Sequence, residues 1–142
     1  MTAEFSVALH ALVFLFHKKE CVSSELLAQN VCTNPARIRK IMGKLVQAGF
    51  VKTRCGVDGG YFFSGDADCI TVQDIVSVTD GNVINSVWKS GDKHAGCIIS
   101  SGMGNVLDTI VAHLNACCRD YLSSLTVAQI EQELKQSVHT EK

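Results

Sequence analysis

The chain has 142 residues, 46% of them apolar and only one of them proline, a composition unlike that of a disordered chain and enough for one domain with its own core. Its formal charge of −1 conceals a division: residues 33–54 carry six basic side chains and no acidic one, leaving seven basic against fourteen acidic residues elsewhere. A uniformly charged surface is thereby excluded, and one segment stands out as the footprint of a partner that carries phosphates.

In chain order, VALHALVFLF over residues 7–16 is almost wholly apolar. It is too short to span a bilayer and follows Glu4 with no basic leader, so it is expected to form a buried first helix, with no export signal, no membrane and a cytoplasmic location. Ser23 can then cap a short helix, SELLAQNVC, whose Leu26, Leu27 and Val31 are apolar. Cys32, Thr33 and Asn34 form a turn of the length used in helix-turn-helix units. Asn34 is a good N-cap, Pro35 suits the first helical position, and Gly49 lies where the next helix ends. Within that helix Arg37, Lys40 and Lys44 fall at i, i+3 and i+7, while Ile38, Ile41, Met42, Leu45 and Val46 fill the opposite face.

FVKTR and GYFF read as two short strands around the glycine-rich loop GVDGG. Helix, turn, basic helix and hairpin in this order describe a winged helix-turn-helix, in which the second helix enters the major groove and Lys52 and Arg54 sit on the wing. ITVQD opens another helix with Thr71 and Asp74 in capping-box positions, and Gly81 ends it. Residues 82–102 show no sustained period and are expected to form a long loop. Met103, Val106, Ile110, Leu114, Cys117, Tyr121 and Leu125 then form a stripe along a helix of about 22 residues, broadened by Leu107, Val111, Cys118 and Leu122. A stripe this broad wants a partner helix, and a second copy of the chain supplies one. Thr126 and Gln129 cap a short last helix, TVAQIEQEL. The expected organisation is a winged domain over 1–81, a sensor loop over 82–102, and a dimerisation helix with a final helix over 103–142. The fold class is mainly α with a small β-hairpin.

The segments FSVALHALVFLF, SSELLAQNVCTNPARIRKIMGKLVQAGFV, TRCGVDGGYFF and ITVQDIVSVTDG together resemble the Rrf-two family of bacterial winged-helix transcription regulators. That family includes the iron–sulfur cluster regulator, the cysteine metabolism repressor and nitric-oxide-sensing repressors. The resemblance covers roughly the first 80 residues and implies a homodimer that binds a near-palindromic operator in double-stranded DNA, commonly as a repressor. On this reading Thr33, Asn34, Pro35, Arg37, Arg39, Lys40, Lys44, Lys52, Arg54 and Tyr61 form the DNA-binding surface.

Seven cysteines in an unexported chain read as thiols, metal ligands or switches, because the cytosol keeps thiols reduced. The family's iron–sulfur members cluster three cysteines before the long helix, whereas here Cys97 stands alone and residues 98–116 contain no other. Two thiolate ligands are missing, so no cofactor is expected. His94, Cys97, His113 and Cys117 superficially imitate a two-plus-two zinc spacing, but the apolar stripe claims Cys117, and no metal is expected. Cys97, beside Lys93 and His94, is the candidate sensing thiol. The resemblance implies that its loop approaches the other subunit's DNA-binding domain, which makes Cys32 the candidate partner. Cys117 and Cys118 are expected in the core. There is no CxxC pair, no phosphate-binding Walker loop and no GxSxG elbow, so no enzyme is expected. The expected function is a DNA-binding regulator controlled by thiol oxidation. The alternatives are a metal- or iron–sulfur-responsive regulator, or a winged helix used only for protein contact.

Overall fold

The protein is described here by a computed structural model that covers residues 1–85 and 88–140. Among these, six helices and one hairpin follow in the order α1 (Ala3–Lys18), α2 (Ser24–Val31), α3 (Pro35–Gln47), β1 (Val51–Arg54), β2 (Gly60–Phe63), α4 (Val72–Thr79), α5 (Ile98–Ser123) and α6 (Val127–Thr140). Helix α1 is apolar on nearly every side because α2, α3, α4, α6 and β2 all pack on it. Phe5, Ala8, Ala11, Leu12 and Leu15 are buried there. Its N-cap, Thr2, accepts from the Phe5 amide and is itself held by Asp80, which takes the Thr2 amide at 2.9 Å.

The helix-turn-helix forms as its caps dictate. The Asn34 side chain accepts the Arg37 amide at 2.8 Å, with Pro35 at the first helical position. Between α2 and α3 the chain reverses at Cys32, which takes a left-handed φ of 60° while Thr33 N–H bonds back to Ala28 O at 2.9 Å. Only Leu27 of the two adjacent leucines is buried; Leu26, expected to pack, is exposed, since neighbours on a helix point about 100° apart. Helix α3 closes at Gly49, where a φ of 81° lets the amides of Gly49 and Phe50 bond Val46 O and Leu45 O, each at 3.0 Å.

Strands β1 and β2 pair antiparallel in the register Val51↔Phe63 to Arg54↔Gly60. Val51 anchors the hairpin in the core while Lys52, Thr53 and Arg54 face out. The Thr71–Asp74 capping box of α4 is present, and Thr71 also bridges to Thr126, which ties the start of α4 to that of α6.

The expected loop over residues 82–102 is shorter in the structure. Helix α5 already begins at Ile98, so Gly102 and Gly104 lie inside it, and their low helix propensity is overridden. Buried Asn115 holds the preceding segment by bonding both main-chain groups of Ile84, at 3.0 and 2.9 Å. Ser86 and Val87 of that loop lie outside the described residues. Helix α5 ends at Ser123, before the expected Leu125. Helix α6 is longer than TVAQIEQEL: it runs to Thr140 because Ile130 reaches the core and Glu131 is clasped by His17 and Lys135. Of the late helices, Leu122 and Val127 supply the buried apolar side chains.

Candidate nucleic-acid interface

Four inward side chains of α3, namely Ile38, Ile41, Met42 and Leu45, are at most 1% exposed, and they fix the direction of every other residue on that helix. At about 100° per residue, Ala36, Lys40, Gly43 and Gln47 point directly away from the core, Arg37 and Lys44 lie along one flank, and Arg39 lies along the other. Arg37, Arg39 and Lys40 are exposed, as are Lys52 and Arg54 on the hairpin. Helix α3 packs against β1, and both elements carry exposed cations.

The side chains expected on this surface divide by what already holds them. Arg37, Lys40, Lys52 and Arg54 make no ion pair among the described residues. Arg54 lies over the Phe62 ring, 5.7 Å from its centroid, which stiffens the wing cation. Arg39 leans on α2, donating to Ser24 Oγ at 3.2 Å with Glu25 at 3.8 Å. Lys44 departs from expectation: it is half-buried and paired with Glu4, so it ties α3 to α1 instead of standing free. Tyr61 is half-buried and exchanges two main-chain bonds of 2.8 Å with Val22, which straps the wing to the residues before α2. Asn34 spends its side-chain oxygen on the cap, Pro35 opens the helix, and the Thr33 amide closes the turn. These three shape the entry to α3.

The thiols are all free and differ sharply in environment. Cys97 is the N-cap residue of α5 and is exposed. Main-chain N–H groups of Ser100, then Ile99, in the first turn of that helix favour its thiolate and hold its pKa below the ordinary thiol value. The helix end, not the expected charge of Lys93 and His94, is the cause. Loop periodicity did not show it because the helix start was hidden. Cys69 behaves oppositely: it donates to Asp66 Oδ2 at 3.3 Å, and that bond and the carboxylate charge raise its pKa. Cys32 and Cys55 are exposed, and so is Cys117, which was expected in the core; Cys118 is half-buried beneath it.

The donors around Cys97 do not fit an iron–sulfur cluster. No other cysteine lies between residues 70 and 116, and among the described residues no three of His, Cys, Asp and Glu converge within the chain. An apolar cavity of about 710 Å³ opens between α1 and α6. Its polar groups are engaged with one another: His17 Nδ1 with Glu131 Oε1 at 2.8 Å, Lys135 with the same oxygen at 2.6 Å, and His10 Nε2 with Asn30 Oδ1 at 2.9 Å.

A family model named Rrf2, described as an iron-dependent transcriptional regulator, matches residues 1–133. The chain belongs to the Rrf2 family. Two Bacillus subtilis proteins named as HTH-type transcriptional regulators are similar to it. YwgB is 26% identical over 95 residues, 61% of this chain and 59% of its own length, and YwnA is 24% identical over 134 residues, 94% and 98% of the two chains. A crystal structure of a Lactobacillus plantarum protein assigned as a transcriptional regulator shares the fold over the whole of both chains, with a TM-score of 0.81 at 22% identity. Members of the Rrf2 family are transcription regulators and not enzymes. No helix among the described residues is long and apolar enough to cross a membrane.

Proposed function

We propose that this Rrf2-family chain is a homodimeric, cytoplasmic, sequence-specific DNA-binding repressor whose operator affinity falls when Cys97 is oxidised. One observation carries the DNA-binding part: Arg37 and Lys40 on α3 and Lys52 and Arg54 on the adjoining wing are exposed cations without an ion pair among the described residues, in a helix-turn-helix whose caps are complete. The helix would read base edges in the major groove while the wing cations meet phosphates. The sign, repression, follows from the family resemblance.

Support for the dimer comes from α5, whose Val106, Ile110, Leu114 and Tyr121 are 46–65% exposed in the single chain. Support for the thiol switch comes from Cys97, exposed and electrostatically activated. Hydrogen peroxide would pass one oxygen to the Cys97 thiolate and, with one proton taken from solvent, leave a sulfenic acid and water; a thiol such as Cys32 of the second copy would then displace water and form a disulfide. That crosslink would fix the spacing of the two recognition helices. Selection of bound fragments from the source genome under reducing and peroxide-treated conditions tests all three parts. Enrichment of a near-palindromic site under reducing conditions, lost on oxidation and restored by dithiothreitol, is expected. Enrichment of nothing rejects DNA binding, and equal enrichment in both conditions rejects the switch.

A further inference from the structure

Gly43 stands at the middle of the outward face of α3, between Lys40 and Gln47. A glycine inside a helix is less stabilising than alanine, because its backbone loses more freedom on folding, so its presence in a well-formed helix calls for a reason. At Gly60 and Gly65 the reason is intramolecular: a Cβ on Gly60 would lie 2.2 Å from Val22 O, and one on Gly65 would lie 2.3 Å from Ile70 Cδ1. Gly43 has no such neighbour; Gly102 of α5 is equally open, but Gly43 stands among the exposed cations of α3. Beyond its own turn of helix, a Cβ built at Gly43 meets no atom of the described residues within 4 Å, and the residue's backbone is ordinary helix with no positive φ. The fold would accept alanine and gain by it. No described residue calls for glycine here, and the position faces the side from which the exposed cations Arg37 and Lys40 project.

We propose that Gly43 is a close-approach residue of the DNA interface: its missing side chain lets a wall of the groove seat against the α3 backbone, and that depth sets how well the neighbouring side chains reach the bases. This inference rests on the DNA-binding reading above and adds a specificity-determining position that carries no charge and no hydrogen-bonding side chain. Groove depth matters because a base-reading side chain gains its discrimination only when both of its hydrogen bonds reach their geometry. One added methyl group holds the two surfaces apart by a distance of the same order as the tolerance of those bonds.

The test compares the full-length protein with Gly43→Ala and Gly43→Leu for thermal melting, and for binding to the selected operator duplex and to a scrambled duplex of equal length. Gly43→Ala should melt about 2 to 5 °C higher than the parent. It should bind the operator about tenfold more weakly, with the salt dependence unchanged because no charge has been removed. Alanine and leucine form helices almost equally well, so a loss that grows from Ala to Leu reports size and not helix stiffness. Wild-type protein that binds neither duplex ends the DNA-binding reading and this inference together. Wild-type protein that prefers the operator, with both variants binding it equally well, overturns the role of Gly43 alone. A Gly43→Ala protein that melts below the parent overturns the premise that the fold does not need this glycine.

Discussion

Arg37 and Lys44 share a flank of α3, yet Arg37 faces solvent while Lys44 is bound to Glu4. Their replacements should part accordingly. Arg37→Ala should cost about 1 to 3 kcal/mol of operator binding and relax preference at one base position, as expected for a base reader. Lys40→Ala should weaken operator and random DNA alike and shallow the salt slope by about one. Lys44→Ala should change DNA binding least, its cost appearing as up to about 1 kcal/mol of stability lost with the Glu4 pair. Titrations of the three variants at several salt concentrations check this, and equal losses for Arg37→Ala and Lys44→Ala would shift the interface toward α1. Among the thiols, the lowered pKa of Cys97 means a larger thiolate fraction at neutral pH, and a labelling rate that rises at lower pH than for an ordinary cysteine. Cys69, raised by Asp66, should respond only at higher pH. Peptide mapping after brief iodoacetamide treatment at pH 7 should find Cys97 modified well ahead of Cys69; comparable labelling would remove the electrostatic basis of the switch.

At the scale of elements, Cys32 occupies the position after α2 that most often belongs to glycine, and its φ of 60° carries the side-chain crowding that glycine avoids. Cys32→Gly should therefore stabilise the protein by about 1 kcal/mol. Cys32→Ser should give no such gain, and thermal melting of the two variants separates relief of backbone strain from loss of the thiol. Helices α2 and α3 were legible in the sequence because independent local signals coincide there: Ser23 and Asn34 as caps, Pro35 at the start, Gly49 at the end, and apolar residues at helical spacing between them. The start of α5 was not legible, because Gly102 and Gly104 interrupt the pattern while the contact that holds the preceding segment, Asn115 to Ile84, is distant along the chain. The Glu4–Lys44 tie was hidden for the same reason. The stripe on α5 showed which residues share a face, and it gave no account of whether this chain covers that face. Cys117, on the stripe, is thus exposed and not core.

At the scale of the whole molecule, the two ends of the chain meet where Glu131 of α6 accepts from Lys135 and from His17 of α1. Lys135 first, then His17, hold its carboxyl below the ordinary carboxylate range. A folded-state pKa below the unfolded one stabilises above the unfolded value and loses that contribution as pH falls through the folded value. The stability difference between the parent and Glu131→Gln should accordingly be fully present near neutrality and shrink as pH falls below the ordinary carboxylate value of 4.5; a constant difference would mean that the clasp acts through packing alone. The long helix makes the larger claim. At 26 residues α5 extends about 39 Å, and of its length the described residues bury only Asn115 and Leu122. Val106, Ile110 and Leu114 are about half exposed along one row, and covering an aliphatic side chain of this size is worth about 1 to 2 kcal/mol, doubled when two copies meet. A second α5 would also bring two α3 faces onto one side of the particle, which requires half-sites about 10 to 10.5 base pairs apart, or a multiple of that. Ile110→Asp with Leu114→Asp should yield a monomer that keeps the far-ultraviolet dichroism of the parent, because neither side chain belongs to the core. Operator binding should collapse to the weak affinity of a single half-site. Sedimentation of the parent as a well-folded monomer at micromolar concentration, or full operator affinity in the charged variant, would reject α5 as the assembly helix.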